Sequence, residues 1–94
     1  MSVLSHNSYF EGGVQSIGFT RNGRSMTVGA IAPGEYHFGT KAAERMTVIS
    51  GEMLVRVGGG EQRVYTVGTA FEIPANSGFD LKTLAAAAYL CEFL

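Results

Sequence analysis

Short runs of β-branched and aromatic residues recur along the chain, broken by glycines at spacings of roughly 8 to 12, the rhythm of an all-β sandwich or barrel. The clearest local signal is Asn22-Gly23, a type I′ hairpin turn that predicts strands over Val14–Arg21 and Arg24–Ala32. A two-residue loop sets Arg21 opposite Arg24, Phe19 opposite Met26 and Ile17 opposite Val28, all on one face. The other face is small and polar: Thr20, Gly18 and Ser16 against Ser25, Thr27 and Gly29. Like charges directly opposed are destabilising, so Arg21 and Arg24 invite an anion between them. The plainer alternative is that both snorkel from the hairpin tip into water. Met53, Val55 and Val57 alternate up to Gly58-Gly59-Gly60, and Glu61 to Val67 returns as a second hairpin. Those glycines read as a turn, because a phosphate-cradling loop normally opens a helix and none follows. Thr83 to Leu90 carries four alanines, yet it is short, uncapped and runs into Tyr89-Leu90-Cys91-Glu92-Phe93. It is read as a loop followed by a terminal strand.

Composition then narrows the class. The chain has 94 residues, enough for one small domain over 1–94. Apolar residues make up 46 % and charged residues 16 %, which excludes disorder driven by charge. A net charge of −1 gives no basis for wrapping nucleic acid or coating an anionic membrane. The longest apolar stretch, Leu84 to Cys91, falls far short of the ~20 residues a membrane span needs. No basic-then-apolar signal segment opens the chain, and its single cysteine, Cys91, suits a reducing compartment, so a cytoplasmic protein is expected. A domain this small, with so little charge for its surface, is expected to form a homo-oligomer.

Two stretches carry a family resemblance. Pro33-Gly34-Glu35-Tyr36-His37-Phe38-Gly39-Thr40, then Glu44-Arg45-Met46-Thr47-Val48-Ile49-Ser50-Gly51, resemble the first motif of the cupin superfamily. Glu44 and Gly51 keep its glutamate-to-glycine spacing, and His37 and Gly39 fall at its two histidine positions. Gly68 and Pro74 echo the second motif, whose histidine position holds Phe79. More closely, the whole chain resembles the pyrimidine/purine nucleoside phosphorylases. The likeness rests on Tyr9-Phe10, Val14-Gln15-Ser16-Ile17-Gly18-Phe19, Gly34-Glu35-Tyr36, Phe38, Glu44 and Met46 to Gly51. It closes with Gly68, Phe71, Pro74, Ser77, Phe79 and Tyr89-Leu90-Cys91.

The resemblance implies a single-domain cupin of the RmlC-like jelly-roll β-barrel type. It also implies cleavage of purine and pyrimidine ribonucleosides by inorganic phosphate, giving free base and ribose 1-phosphate. The alternative is a non-catalytic cupin that binds a small anionic or nucleotide-like ligand. The cupin correspondence turns Glu35, His37 and Gly39 inward, whereas simple alternation buries Tyr36 and Phe38. Both hold if the strand's outer face packs on a second subunit, so Tyr36 and Phe38 are expected at a homodimer interface.

Cupin metal sites use three histidines and a glutamate. Here Gly39 and Phe79 replace two of the ligands, and His37 with Glu44 would leave most of an octahedral shell to water. His6, near the N-terminus, is a poor substitute. No metal or other cofactor is expected, and His37 then becomes a substrate contact or an ordinary hydrogen-bonding imidazole. Phosphorolysis needs a held phosphate, tolerance of positive charge on the ribose, and a proton or hydrogen bond for the leaving base. It needs no enzyme nucleophile, so positioning and electrostatics carry it. Arg24, with Arg21 as partner and Arg45 third, is the candidate for phosphate, since the guanidinium fork fits it. Glu44 is the candidate carboxylate facing the sugar. Phe79 is the expected platform for the base, Glu72 and Asn76 its polar contacts, and Ser77 a helper on phosphate. Tyr89 suits either a pocket or an interface.

Overall fold

The computed structural model describes residues 3–94, and the alternating pattern becomes ten strands. In chain order these are β1 (Ser5–Tyr9), β2 (Val14–Arg21), β3 (Arg24–Ile31), β4 (Gly34–Gly39) and β5 (Glu44–Ser50). β6 (Glu52–Val57), β7 (Gln62–Thr66), β8 (Ala70–Ile73), β9 (Gly78–Thr83) and β10 (Ala87–Phe93) follow. A single 3-10 turn, Phe10–Gly12, interrupts them. The strands form a six-stranded sheet, β1-β2-β3-β10-β5-β8, and a four-stranded sheet, β4-β9-β6-β7. All pairings are antiparallel. The closed barrel is the part of the expectation that needs a correction: the two sheets face each other and neither closes on itself.

The core between them is apolar from both sides. Val14, Ile31, Val48 and Ile73 come from the larger sheet, and Met53, Val55 and Leu81 from the smaller; all seven are fully buried. Both hairpins form as expected. Asn22 and Gly23 take φ of 51° and 75°, the left-handed pair of a type I′ turn, and the register places Arg21 on Arg24 and Ile17 on Val28. The alanine-rich segment bends and then becomes β10, which threads between β3 and β5.

The structure decides which way two strand faces turn. The small polar face of the first hairpin points inward and its apolar face points out, leaving Ile17 37 % and Val28 39 % exposed. The inward choice is dictated by Val14 and Ile31, which share parity with Ser16 and Gly29 and anchor that end of the hairpin in the core. On β4, alternation prevails over the cupin correspondence. Tyr36 and Phe38 pack against the core, and Phe38 stacks on Phe79 with ring centroids 5.1 Å apart. Glu35 and His37 turn outward, and Tyr36 and Phe38 lie partly buried on the inner face rather than on the outer face expected to form an interface.

Candidate functional site

Between the sheets lies a cavity of about 530 Å³. The larger sheet supplies its floor through Ser16 (β2), Thr27 (β3), Glu44 and Met46 (β5), and Tyr89, Cys91 and Phe93 (β10). Strands β4 and β9 supply the opposite wall with His37, Phe38, Gly39 and Phe79, and Tyr9 and Phe10 close one side. The small hydroxyl face of the first hairpin leaves room for this space. Gly29 is required beneath it: a Cβ there would sit 2.7 Å from the phenol oxygen of Tyr89 and 2.7 Å from the Gln15 carbonyl. Tyr89 therefore folds over bare backbone, with Ser16 hydrogen-bonded beside its hydroxyl.

The side wall is built on unusual backbone. Phe10, Glu11 and Gly12 all have positive φ, at 51°, 55° and 89°. Non-glycine residues in this region carry strain that surrounding contacts must offset. Here Phe10 packs edge-on against Tyr36 and Phe38, with centroids 5.0 and 5.5 Å away. Such aromatic pairs contribute about 0.5–1.5 kcal/mol beyond area burial.

Glu44 is the one carboxylate among the lining residues, and no lysine or arginine lines the cavity. Burial raises the Glu44 pKa above the ordinary carboxylate value, and a hydrogen bond from the Cys91 thiol, 3.4 Å from Oε1, opposes that rise. Burial, reinforced by the neighbouring Glu44, pushes the Cys91 thiol well above its usual range. Burial and the nearby Cys91 push Tyr89 up to about 12. At neutral pH both stay protonated.

The structure gathers some sequence-picked residues here and leaves others apart. Glu44 points inward beside Met46, as its place in the motif requires. Phe79 reaches the cavity but is 2 % exposed behind Phe38, which presents the open aromatic surface. His37 touches the rim while its Nδ1 bonds Asp80 at 2.8 Å on the outer face. Glu72 faces outward and accepts two hydrogen bonds from Arg45, at 3.1 and 2.9 Å. Asn76 and Ser77 form the β8–β9 turn, where Ser77 is hydrogen-bonded to Thr40 and the Asn76 amide donates to the Lys41 carbonyl. Arg21 and Arg24 stand exposed at the hairpin tip, outside the cavity lining.

The residues that sequence reasoning missed are Ser16, Thr27, Cys91, Phe93 and the Tyr9-Phe10 pair. Alternation along β10 puts Tyr89, Cys91 and Phe93 on one face, but nothing local says that this strand occupies the sheet centre. The metal ligand positions of a cupin do not fit a metal here. Gly39 and Phe79 have no donor, His37 is turned to Asp80, and the described residues hold no group of three His, Cys, Asp or Glu side chains.

A family model described as pyrimidine/purine nucleoside phosphorylase matches residues 4–93. A protein of that name from Anaeromyxobacter sp. (strain Fw109-5) is 61 % identical over 99 % of this chain and 90 % of its own length. Another, from Sorangium cellulosum (strain So ce56), is 57 % identical over 98 % of this chain and 100 % of its own. A crystal structure of a Vibrio parahaemolyticus protein of unknown function superposes with a TM-score of 0.94 at 46 % identity, covering 98 % and 99 % of the two chains. An RmlC-like cupin from Shewanella frigidimarina superposes with a TM-score of 0.76 at 20 % identity over 92 % of this chain and 79 % of that one, a likeness of fold.

Proposed function

The chain belongs to the pyrimidine/purine nucleoside phosphorylase family, and on that premise we propose that its inter-sheet cavity cleaves ribonucleosides with inorganic phosphate. The observation that carries this reading is the cavity's composition: one carboxylate, Glu44, set among hydroxyls and aromatic rings. In the reaction a phosphate oxygen bonds to C1′ as the C1′–N bond breaks, and the departing base takes up a proton. Positive charge grows on the ribose meanwhile. An ionised Glu44 facing that charge stabilises the transition state, more strongly for standing in a half-dry cavity. Ser16, Thr27 and Tyr89 offer hydroxyls to the sugar. Phe38, Phe10 and Tyr9 offer faces on which either a purine or a pyrimidine stacks. A wall of rings without amide side chains reads no hydrogen-bonding edge, which supports breadth for the base.

Phosphate is the part that the cavity itself does not neutralise. The reading assigns it to the open mouth, with two cation sources to compare. Arg24 and Arg21 form no ion pair among the described residues, and exposed Lys41 lies on the loop between the lining residues Gly39 and Glu44. No step requires a metal ion or a covalent enzyme intermediate. The same reading keeps the chain cytoplasmic and a homodimer. The pairing surface moves to the outer face of the larger sheet, where Ile17, Val28 and Leu90 form one cross-strand row.

The test is base release from uridine and inosine by purified protein, with and without phosphate. Phosphate-dependent release with ribose 1-phosphate as co-product, unaffected by chelator, is expected. Thermal stabilisation by nucleoside without turnover would instead favour a binding module. Loss of phosphate affinity, as a KM raised about tenfold, is expected for Arg24→Ala or Lys41→Ala, whichever supplies the cation. Wild-type phosphate KM in both variants and in Arg21→Ala removes the mouth assignment.

A further inference from the structure

The cavity holds one carboxylate and no cation, which poses a physical problem that the fold answers locally. Glu44 is flanked across the sheet by Phe93 on β10 and Ile73 on β8, both apolar. Its neighbour Arg45 points to the other face and is committed to Glu72. The titratable groups facing Glu44 are Cys91 and Tyr89 from β10, Tyr9 from β1 and His37 at the rim from β4; Glu92 acts on Cys91 from the outer face. None of them brings a fixed positive charge. The hydrogen offered to the carboxylate is the Cys91 thiol, 3.4 Å from Oε1. Cys91 lies directly opposite Thr27 on β3 and Met46 on β5, and Thr27 hydrogen-bonds its sulfur. The sulfur is thus held between two strands and aimed at the carboxylate.

We infer that Cys91 is a positioning residue for Glu44: its thiol hydrogen holds Oε1 and favours the ionised carboxylate, leaving Oε2 for the sugar. This rests on the phosphorolysis reading for its catalytic consequence, but the contact itself is independent of it. Buried thiols resist ionisation, so Cys91 is a donor and not a nucleophile across the working range. A weak S–H donor is a small effect in water and a larger one where no cation competes.

The decisive comparison is between Cys91→Val, which is one methyl group larger but removes the donor beside an open cavity, and Cys91→Ser, which keeps a donor. Profiles of kcat/KM against pH are measured with uridine and inorganic phosphate. The carboxyl carbon of Glu44 is titrated in parallel by 13C NMR without substrate, its signal assigned through Glu44→Gln. In Cys91→Val the Glu44 midpoint and the acid limb of kcat/KM both move to higher pH. The loss of rate is then about tenfold on the acid side and smaller on the alkaline side. Cys91→Ser restores both at or below their wild-type positions. An unmoved Glu44 midpoint in Cys91→Val overturns the assignment, as does an NMR midpoint that moves while the rate profile does not. Uniform losses in both variants at every pH would mean packing alone. Absence of phosphate-dependent turnover in the wild type sinks the phosphorolysis reading, and the NMR midpoints then decide the Cys91–Glu44 contact by themselves. Matching thermal melts of the substituted proteins guard against simple unfolding.

Discussion

Glu44, the carboxylate of the cavity, works against stability once it is ionised. Burial raises its pKa in the folded state above the reference value of 4.5. The native protein therefore holds this proton more tightly than the unfolded chain, and stability is lost as pH rises from the unfolded value through the folded one. Above that window an ionised Glu44 is a net liability. Glu44→Gln is expected to melt at a higher temperature than wild type at neutral pH, with the gain vanishing below the ordinary carboxylate range. Calorimetry from about pH 4 to about pH 8 measures this, and a lower neutral-pH melting point contradicts it. The same variant should lose about 10²–10³-fold in phosphorolysis, the size seen when a preorganised electrostatic group is removed. Gly29 makes the opposite point: it has no chemistry, yet Tyr89 depends on it. Gly29→Ala must displace the Tyr89 ring or spread β2 from β3, since the new methyl meets both at 2.7 Å. A cost of about 1–3 kcal/mol in urea melts is expected, together with weakened nucleoside binding. An unaltered melt would show that the strands yield freely.

At the scale of elements, the first hairpin was legible in full register because a two-residue loop is a local device. Which face it turns inward was not, because that depends on Val14 and Ile31 meeting strands far away in sequence. Strand β4 is the instructive failure. Motif spacing aligned His37 and Gly39 with ligand positions, while the plain alternation of Tyr36 and Phe38 described the real burial. With Gly39 and Phe79 at two of the ligand positions and His37 paired to Asp80, nothing draws the polar side of that strand inward, and the aromatic side packs on the core. Tyr36→Ala with Phe38→Ala is therefore expected to lower stability by about 3 kcal/mol or more, as truncation of core aromatics does. Equilibrium denaturation tests it. A double mutant of wild-type stability that only changes its oligomeric state would return these rings to an interface.

At the scale of the molecule, two sheets and their core could be anticipated from alternation and glycine spacing, but closure could not, because it depends on how edge strands end. The candidate site was half visible. Glu44 followed from motif position, whereas the hydroxyl floor needed the strand order β2-β3-β10-β5, which no local pattern encodes. The proposed homodimer is also a whole-molecule property. Its expected surface is the exposed outer row of Ile17 and Val28. Ile17→Lys with Val28→Lys is expected to give a monomer in light scattering, since two charges per subunit cannot be buried without partners. A double variant with wild-type mass moves the contact elsewhere or removes it.

The central position of β10 has a consequence for how the larger sheet holds together. Without that strand the larger sheet would be two unjoined pieces, β1-β2-β3 and β5-β8, each with a bare edge facing the gap. Every residue that β10 gives the floor of the cavity arrives with it. Open strand edges of that kind are the condition under which β-rich chains meet the wrong partners. β10 thus joins the two halves of the larger sheet and supplies Tyr89, Cys91 and Phe93 to the cavity floor, so the integrity of the sheet and the shape of the cavity depend on the same strand.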